Sequence, residues 1–132
     1  MSTRKDNFTQ RDRFFMNLAF NLARDRSGLT GENPSVGCVI VKNDKVISLG
    51  QTGISGRPHA EYNAIKSCKY NLKNAKMYVS LEPCTHYGKT PPCSNFIVKS
   101  KIKEVIFPII DVDKRTQSKS FKTFKDKNIK VK

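Results

Sequence analysis

The sequence predicts a mixed α/β protein, with a sheet of about five strands and helices on both faces of the sheet. Three observations lead to this prediction. An amphipathic helix pattern opens the chain, an apolar hairpin pattern follows it, and helical and strand patterns then alternate to the end. At 132 residues the chain is long enough to bury a core of its own, and we expect one domain over residues 1–132.

A first helix is expected after Thr9, because Thr9 and Asp12 form a pattern close to a capping box. Apolar residues then recur at helical spacing on one predicted face, with charged residues opposite. That face comprises Phe14, Phe15, Leu18, Ala19 and Leu22. Gly28 is expected to end the helix, since glycine favours the backbone conformation found just beyond helix ends.

A hairpin and a second helix are predicted next. The apolar stretch 38–41 and the stretch 46–50 flank a polar turn, which is typical of two paired strands. A loop with glycines leads to residues 59–69, whose pattern predicts a helix that begins at His59. The residues expected on its inward side are Tyr62, Ala64 and Ile65.

The second half of the chain alternates strands and helices. The predicted strands cover residues 76–81, 104–110 and 128–131, and the predicted helices cover residues 91–101 and 118–127. The first of these helices is expected to begin at its two prolines, because proline is well tolerated in a first turn. Ligand sites in such sheets lie near the carboxyl ends of parallel strands, so the residues after 76–81 are the expected site.

The net charge of +14 is the unusual feature of the composition. We attribute it to a lysine-rich composition rather than to a nucleic-acid partner, because no compact basic run with interleaved aromatic residues occurs. No apolar stretch approaches the ~20 residues of a membrane span, and the first residues lack the apolar core of a signal peptide. A cytoplasmic location is therefore expected, where the four cysteines would stay reduced rather than form disulfides.

His59, Glu61, Cys84 and Cys93 form the pattern that carries chemistry. Zinc prefers thiolate and imidazole ligands, and H-x-E followed by P-C-x-x-C is the signature of zinc nucleotide deaminases. Here eight residues, not two, separate the cysteines. His59 and Glu61 can share one site only in the first turn of a helix, since residues two apart do not share a helical face. We expect a catalytic zinc site in this region.

The wide cysteine spacing indicates an inserted loop that carries Lys89, after which a helix restarts with Cys93 in its first turn. A helix N-terminus favours a thiolate at that position. The alternative is a structural zinc site with His86 as fourth ligand, which would leave Glu61 without a role. The two remaining cysteines, Cys38 and Cys68, are expected to pack as small apolar residues in a strand and a helix.

The stretches "NPSVGCVIV", "PHAE" and "LEPCTHYGKTPPC" closely resemble the pyrimidine deaminase domain of riboflavin biosynthesis. The resemblance runs from about Asp12 to the last residue. It implies a three-layer α/β/α fold of the cytidine deaminase type and one bound zinc ion (Zn2+). It also implies the hydrolytic deamination of 2,5-diamino-6-ribosylamino-pyrimidinone 5'-phosphate, with release of ammonia.

Position by position, the resemblance implies that His59, Cys84 and Cys93 bind zinc, with water as the fourth ligand. Glu61 resembles the family's proton shuttle. The positions that match substrate-binding residues are Asn33, Lys89 and Asp111, and we add His86 as a candidate phosphate contact. The resemblance also suggests self-association into a homo-oligomer.

The sequence departs from the family at three places. Thr52 stands where many relatives have a histidine, and Asp113 replaces an amide, so the identity of the pyrimidine stays open. Relatives usually continue into a reductase domain, whereas this chain ends about where the deaminase domain would finish. Two alternatives remain open: a deaminase of single-stranded nucleic acid or of another pyrimidine nucleotide, and a zinc-stabilised binding module without catalysis.

Overall fold

The computed structural model describes residues 8–85, 92–108 and 119–132, which form helices on both faces of one five-stranded sheet. The helices are α1 (Gln10–Asp25), α2 (Ala60–Ser67), α3 (Cys93–Ser100) and α4 (Lys119–Asp126). The strands are β1 (Gly37–Lys42), β2 (Lys45–Gln51), β3 (Lys76–Val79), β4 (Glu104–Ile106) and β5 (Lys130–Val131). A short 3-10 helix spans Ile54–Gly56. The predicted fold class is therefore confirmed.

The strands lie in the order β2-β1-β3-β4-β5. β1 pairs antiparallel with both β2 and β3, whereas β3, β4 and β5 run parallel to one another. The sheet is mixed, as predicted, because the hairpin contributes an antiparallel edge to a parallel half. The loop that contains Cys84 leaves the carboxyl end of β3, at the sheet edge where ligand sites of such folds lie.

Alternate residues of the strands face two separate cores. One core lies between the sheet and the three helices α2, α3 and α4, and the other lies between the sheet and α1. The central strand residues of the first core are Ile40, Met77 and Val105. Those of the second core are Val39, Tyr78 and Ile106. The three residues of each set are direct cross-strand neighbours, so each set lies on one face of the sheet.

The capping box predicted for α1 is present, but the inward face of this helix differs from the prediction. Asp12, Phe15, Met16 and Ala19 are buried, whereas Phe14 is 51 % exposed. The predicted face was wrong at Phe14, whereas its other members, Phe15, Leu18, Ala19 and Leu22, do pack in the core. The sequence prediction also placed all charged residues on the outer face. Asp12 instead faces the sheet, where its carboxylate has buried partners.

The second helix and its cysteine also differ from the sequence prediction. α2 ends at Ser67, and Cys68 is its half-buried C-cap residue rather than a helical core residue. The Cys68 thiol lies 3.5 Å from the carbonyl oxygen of Tyr70. Cys38 is fully buried in β1, as predicted, and all four cysteines are free thiols. Within the described residues, no helix combines the length and apolar character needed to cross a membrane.

The carboxylate of Asp12 joins three distant parts of the chain. It accepts hydrogen bonds from the Tyr78 hydroxyl (2.8 Å), from Lys132 Nζ (2.7 Å) and from the backbone N–H of Thr9 (3.0 Å). Burial alone would raise the pKa of Asp12, but these three donors outweigh it and lower the pKa to about 2. The group therefore contributes to stability as a carboxylate.

We expect Asp12→Asn to lower the free energy of unfolding at pH 7 by about 2–4 kcal/mol, because it leaves the half-buried Lys132 ammonium without its counter-ion. The folded pKa of Asp12 lies below the ordinary value of 3.8, so this contribution is complete above about pH 4 and disappears as the pH falls toward 2. Urea unfolding of both proteins between pH 7 and pH 2.5 measures the difference.

The matched control is Asp44→Asn, which removes the exposed ion pair between Asp44 and Arg11 (3.0 Å). Exposed pairs contribute little, so the control is expected to change the unfolding free energy by less than about 1 kcal/mol. Equal losses in the two variants, or a loss for Asp12→Asn that is independent of pH, would contradict the prediction.

Candidate metal centre and active site

Three predicted ligands meet at the carboxyl end of β3. His59 precedes α2, Cys84 lies in the loop after β3, and Cys93 is the first residue of α3. The Nδ1 atom of His59 lies 3.4 Å from Cys93 Sγ and 3.8 Å from Cys84 Sγ. All three donor atoms lie within 4.8 Å of one another, so they form a group that can hold a metal ion.

His59 reaches this group because it is the N-cap residue of α2. Its backbone is extended (φ −68°, ψ 157°), and its side chain makes no capping hydrogen bond to the helix. The ring turns to the two thiols instead. Glu61 lies in the first turn of the same helix and is only 4 % exposed. The condition under which His59 and Glu61 can share one site is therefore met.

Cys84 and Cys93 are held together by the first turn of α3. The backbone N–H of Cys93 donates to Cys84 Sγ (3.2 Å), and the backbone N–H of Ser94 donates to the Cys84 carbonyl oxygen (3.2 Å). These N–H groups have no partner inside the helix, and the positive end of the helix dipole favours a thiolate beside them. Cys84, nine positions before the first residue of α3, thus accepts the hydrogen bond that an N-cap side chain usually accepts.

The two thiols differ in acidity. The hydrogen bond from Cys93 is the largest cause that lowers the pKa of Cys84 to about 4, and hydrogen bonding to His59 adds to it against the effect of burial. The same bond to Cys84, together with burial, raises the pKa of Cys93. The hydrogen bond with Cys84 also raises the pKa of His59. Cys84 is therefore the thiol that ionises first.

The donor set fits zinc. Zn–S bonds of about 2.3 Å and Zn–N bonds of about 2.1 Å in a tetrahedron place the nitrogen about 3.6 Å from each sulfur. The observed distances from His59 Nδ1 to the two Sγ atoms, 3.4 and 3.8 Å, lie on either side of this value. Among the described residues, these three side chains form the group that can hold a metal ion. A set of three protein ligands is typical of catalytic zinc sites, whereas structural sites have four.

Glu61 is a buried acid beside the two thiols. Burial, followed by the negative charge of Cys84, raises the pKa of Glu61 to about 7, although the charge of His59 and a hydrogen bond with Cys93 act in the opposite direction. A carboxyl group with this pKa can both take up and give back a proton near neutral pH. This property is the one that a proton shuttle needs.

Glu82 is a second buried acid near the centre, and the sequence analysis did not identify it. Its carboxylate accepts hydrogen bonds from the backbone N–H (3.2 Å) and the hydroxyl (2.5 Å) of Ser120 in α4. It therefore attaches the start of the cysteine loop to a helix from the far end of the chain. The sequence did contain a signal for Glu82, because an acidic residue stands directly between a predicted buried strand and Pro83-Cys84.

The loop around Asn33 packs against the segment before α2. Asn33 Nδ2 donates to the carbonyl oxygen of Gly56 (2.9 Å). Gly56 has φ +103°, and an added Cβ would lie 2.8 Å from that same Nδ2 atom, so only glycine fits there. Thr52 is buried, and its hydroxyl accepts a hydrogen bond from the backbone N–H of Val36 (2.9 Å). Thr52 therefore supports the backbone at this position.

Several sequence predictions lie outside the described residues. They concern His86, Lys89, Asp111 and Asp113, and with them the alternative of a structural zinc site.

The family model of the cytidine and deoxycytidylate deaminase zinc-binding region matches residues 9–109. The chain is 40 % identical over 122 residues to the diaminohydroxyphosphoribosylamino-pyrimidine deaminase of Buchnera aphidicola subsp. Schizaphis graminum, and the match covers 92 % of this chain and 83 % of that protein. It is 41 % identical over 120 residues to the riboflavin biosynthesis protein RibD of Aquifex aeolicus, and this match covers 91 % of this chain and 34 % of that protein. The chain thus spans about a third of the length of RibD.

Solved structures agree with these similarities. A Thermotoga maritima protein described as a diaminohydroxyphosphoribosylaminopyrimidine deaminase and 5-amino-6-(5-phosphoribosylamino)uracil reductase has a TM-score of 0.85 and 36 % identity. The match covers 92 % of this chain and 35 % of that protein. The dCMP deaminase of cyanophage S-TIM5 has a TM-score of 0.73 at 16 % identity, which shows a shared fold alone.

Proposed function

Because the chain belongs to the family of cytidine and deoxycytidylate deaminases, we propose that it deaminates 2,5-diamino-6-ribosylamino-pyrimidinone 5'-phosphate in riboflavin biosynthesis. The observation that carries this proposal is the group of His59, Cys84 and Cys93 with the buried Glu61 beside it. The choice of substrate is supported by the Buchnera relative, whose name states that reaction and 83 % of whose length the match covers.

Zinc is the metal that we propose for the centre, held by Nδ1 of His59 and Sγ of Cys84 and Cys93. Zinc bound there would supply Lewis-acid activation of the attacking water. The remaining chemistry belongs to the chain. The thiolate of Cys84 already has a lowered pKa, and the N-terminus of α3 stabilises its negative charge.

Glu61 is the proposed proton shuttle. Its carboxylate takes a proton from the water that adds to the amino-bearing ring carbon, and passes it to the adjacent ring nitrogen. The carboxylate then takes the second proton from the hydroxyl group now on that carbon and gives it to the amino nitrogen, the carbon–nitrogen bond breaks, a carbonyl group forms, and ammonia leaves. Burial of Glu61 excludes bulk water from this exchange, so that the proton stays between the substrate and one carboxyl group.

Asn33, Lys89, Asp111 and His86 are the proposed substrate contacts. For Asn33 the structure supports a particular atom. Its Nδ2 is oriented by the Gly56 carbonyl oxygen, which leaves Oδ1 as the acceptor that a pyrimidine amino group can use. Lys89 and His86 stand between the two cysteines in the sequence, and the positive charge of Lys89 would suit the anionic substrate.

We also propose that residues 1–132 form one deaminase domain and that this domain self-associates in the cytoplasm. A reducing compartment suits a centre built on two free thiols, since oxidation would remove both as ligands. Light scattering of the purified chain measures the state of association.

A deamination assay tests the proposed function. The purified, zinc-loaded chain is offered the riboflavin precursor, cytidine, dCMP and a single-stranded oligonucleotide, and ammonia release is measured. We expect kcat/KM for the precursor to exceed that for each other compound at least about a hundredfold, because a site that hydrogen-bonds one substrate leaves polar groups unpaired with another. Turnover of another compound without turnover of the precursor would refute the proposal.

A further inference from the structure

The side-chain amide of Asn63 connects the two ends of the segment 52–58, which lies between β2 and His59. Asn63, in the second turn of α2, donates through Nδ2 to the carbonyl oxygen of Gln51 (2.8 Å) and to that of Pro58 (3.2 Å). Gln51 is the last residue of β2, and Pro58 directly precedes His59. One amide group therefore fixes both ends of the segment between the edge strand and the metal ligand.

The same carbonyl oxygen of Pro58 accepts a second bond, from the backbone N–H of Gly53 (2.8 Å). The closure is tight, because a Cβ added at Gly53 would lie 2.1 Å from the carbonyl oxygen of Arg57. On the opposite side of the loop, Asn33 holds the carbonyl oxygen of Gly56. The segment before His59 is thus held between two asparagine amides, one from α2 and one from the Asn33 loop.

His59 depends on this closure because it receives little support from its own helix. As the N-cap residue it makes no side-chain capping bond, and its backbone is still extended. Its carbonyl oxygen accepts the first helical hydrogen bond, from the backbone N–H of Asn63 (3.0 Å). Asn63 therefore holds Pro58 through its side chain and His59 through its backbone, while contacting none of the three metal-ligating atoms.

We propose that Asn63 is a positioning residue for the metal centre, which holds His59 where its Nδ1 meets both thiols. The inference rests on the metal site assumed in the proposed function and extends it to a residue outside the ligand set. Groups that orient metal ligands contribute about 10- to 100-fold in metal affinity in other proteins. Without the amide, residues 52–58 can shift and carry the imidazole away from Cys84 and Cys93.

The test compares Asn63→Ala and Asn63→Asp with Asn21→Ala, an asparagine replacement on the exposed side of α1. The dissociation constant for Zn2+ is measured by chelator competition, the visible spectrum is recorded with Co2+ in place of Zn2+, and melting temperatures are taken with chelator present. We expect both Asn63 variants to bind Zn2+ at least about tenfold more weakly and to show an altered Co2+ spectrum, with Asn21→Ala unchanged.

A purely structural role would lower the melting temperature and leave the dissociation constant within twofold of the original protein, with an identical Co2+ spectrum. That outcome would overturn the inference. If Asn63→Ala does not fold, the Asp variant decides, because it keeps the size of the side chain and replaces the donor by a carboxylate oxygen that cannot donate to either carbonyl group. Metal binding is measured without any pyrimidine, so a failed deamination assay and a failed inference here are distinguishable.

Discussion

Substituting Glu61 by glutamine is expected to reduce kcat for deamination at least about a thousandfold while zinc stays bound. Glutamine has the size of glutamate, but it cannot accept the proton of the attacking water or return it to the leaving group. The atoms that we propose to hold the metal belong to His59, Cys84 and Cys93, and none of them is changed. Steady-state kinetics together with metal analysis of the same preparation measure both quantities.

The same substitution has an expected effect on stability. Burial raises the folded pKa of Glu61 from 4.5 to about 7, so the folded chain binds a proton that the unfolded chain has already lost. Between these values the unfolding free energy of the chelator-treated protein therefore falls as the pH rises. Glutamine does not ionise, so its buried side chain causes no such decrease. We therefore expect the unfolding free energy of Glu61→Gln to exceed that of the original protein by a few kcal/mol at pH 8, but not at pH 4.

Glu104→Gln is the matched control. Glu104 is the first residue of β4, so it lies at the opposite end of the parallel strands from the metal centre, and it forms an ion pair with Lys76 (3.7 Å). Its activity is expected to stay within twofold. Full deaminase activity of Glu61→Gln would contradict the role of Glu61 as the proton shuttle, whereas the alternative of a binding module without catalysis predicts no deamination by the original protein either. Loss of zinc from Glu61→Gln would mean that Glu61 supports the metal rather than the proton transfers.

The order and type of the helices and strands could be predicted because their patterns are local. The error in α1 arose where the determinant is distant in sequence. Asp12 is buried because Tyr78 and Lys132 meet it from other elements, and no local pattern reports such partners. The end of β3 was overestimated for a similar reason, since β3 ends at Val79, where its pairing with Cys38 of the neighbouring strand β1 ends.

The candidate metal centre shows the same difference between residues with a local sequence signal and residues whose role depends on distant contacts. His59, Glu61, Cys84 and Cys93 could be identified because their residue types are rare together and their chemistry is specific. The groups that support them are ordinary polar residues. The partner of Glu82 is 38 positions away, and Asn63 acts on backbone carbonyl groups, which carry no sequence signal. Roles of this kind become visible only when the contacts are known.

Replacing Cys84 by serine is expected to weaken zinc binding at least about a thousandfold and to abolish activity. Cys84 is the thiol whose pKa falls to about 4, so it supplies a thiolate at neutral pH, whereas a serine hydroxyl stays protonated and is a poor zinc ligand. The centre joins α2, the loop after β3 and α3, so zinc bound to the folded chain also stabilises it. Addition of zinc should therefore raise the melting temperature of the original protein and leave that of Cys84→Ser almost unchanged.

Cys68→Ser separates this effect from a general loss of thiols. Cys68 is half-buried at the end of α2 and does not belong to the ligand group. Its serine variant is expected to bind zinc and to deaminate within twofold of the original protein. Cys38→Ser is a poorer control, because Cys38 is fully buried and a hydroxyl there would disturb the core. If Cys84→Ser kept its zinc, a further ligand would have replaced Cys84 beside His59 and Cys93, and His86, which lies between the two cysteines in the sequence, would be the residue to substitute next.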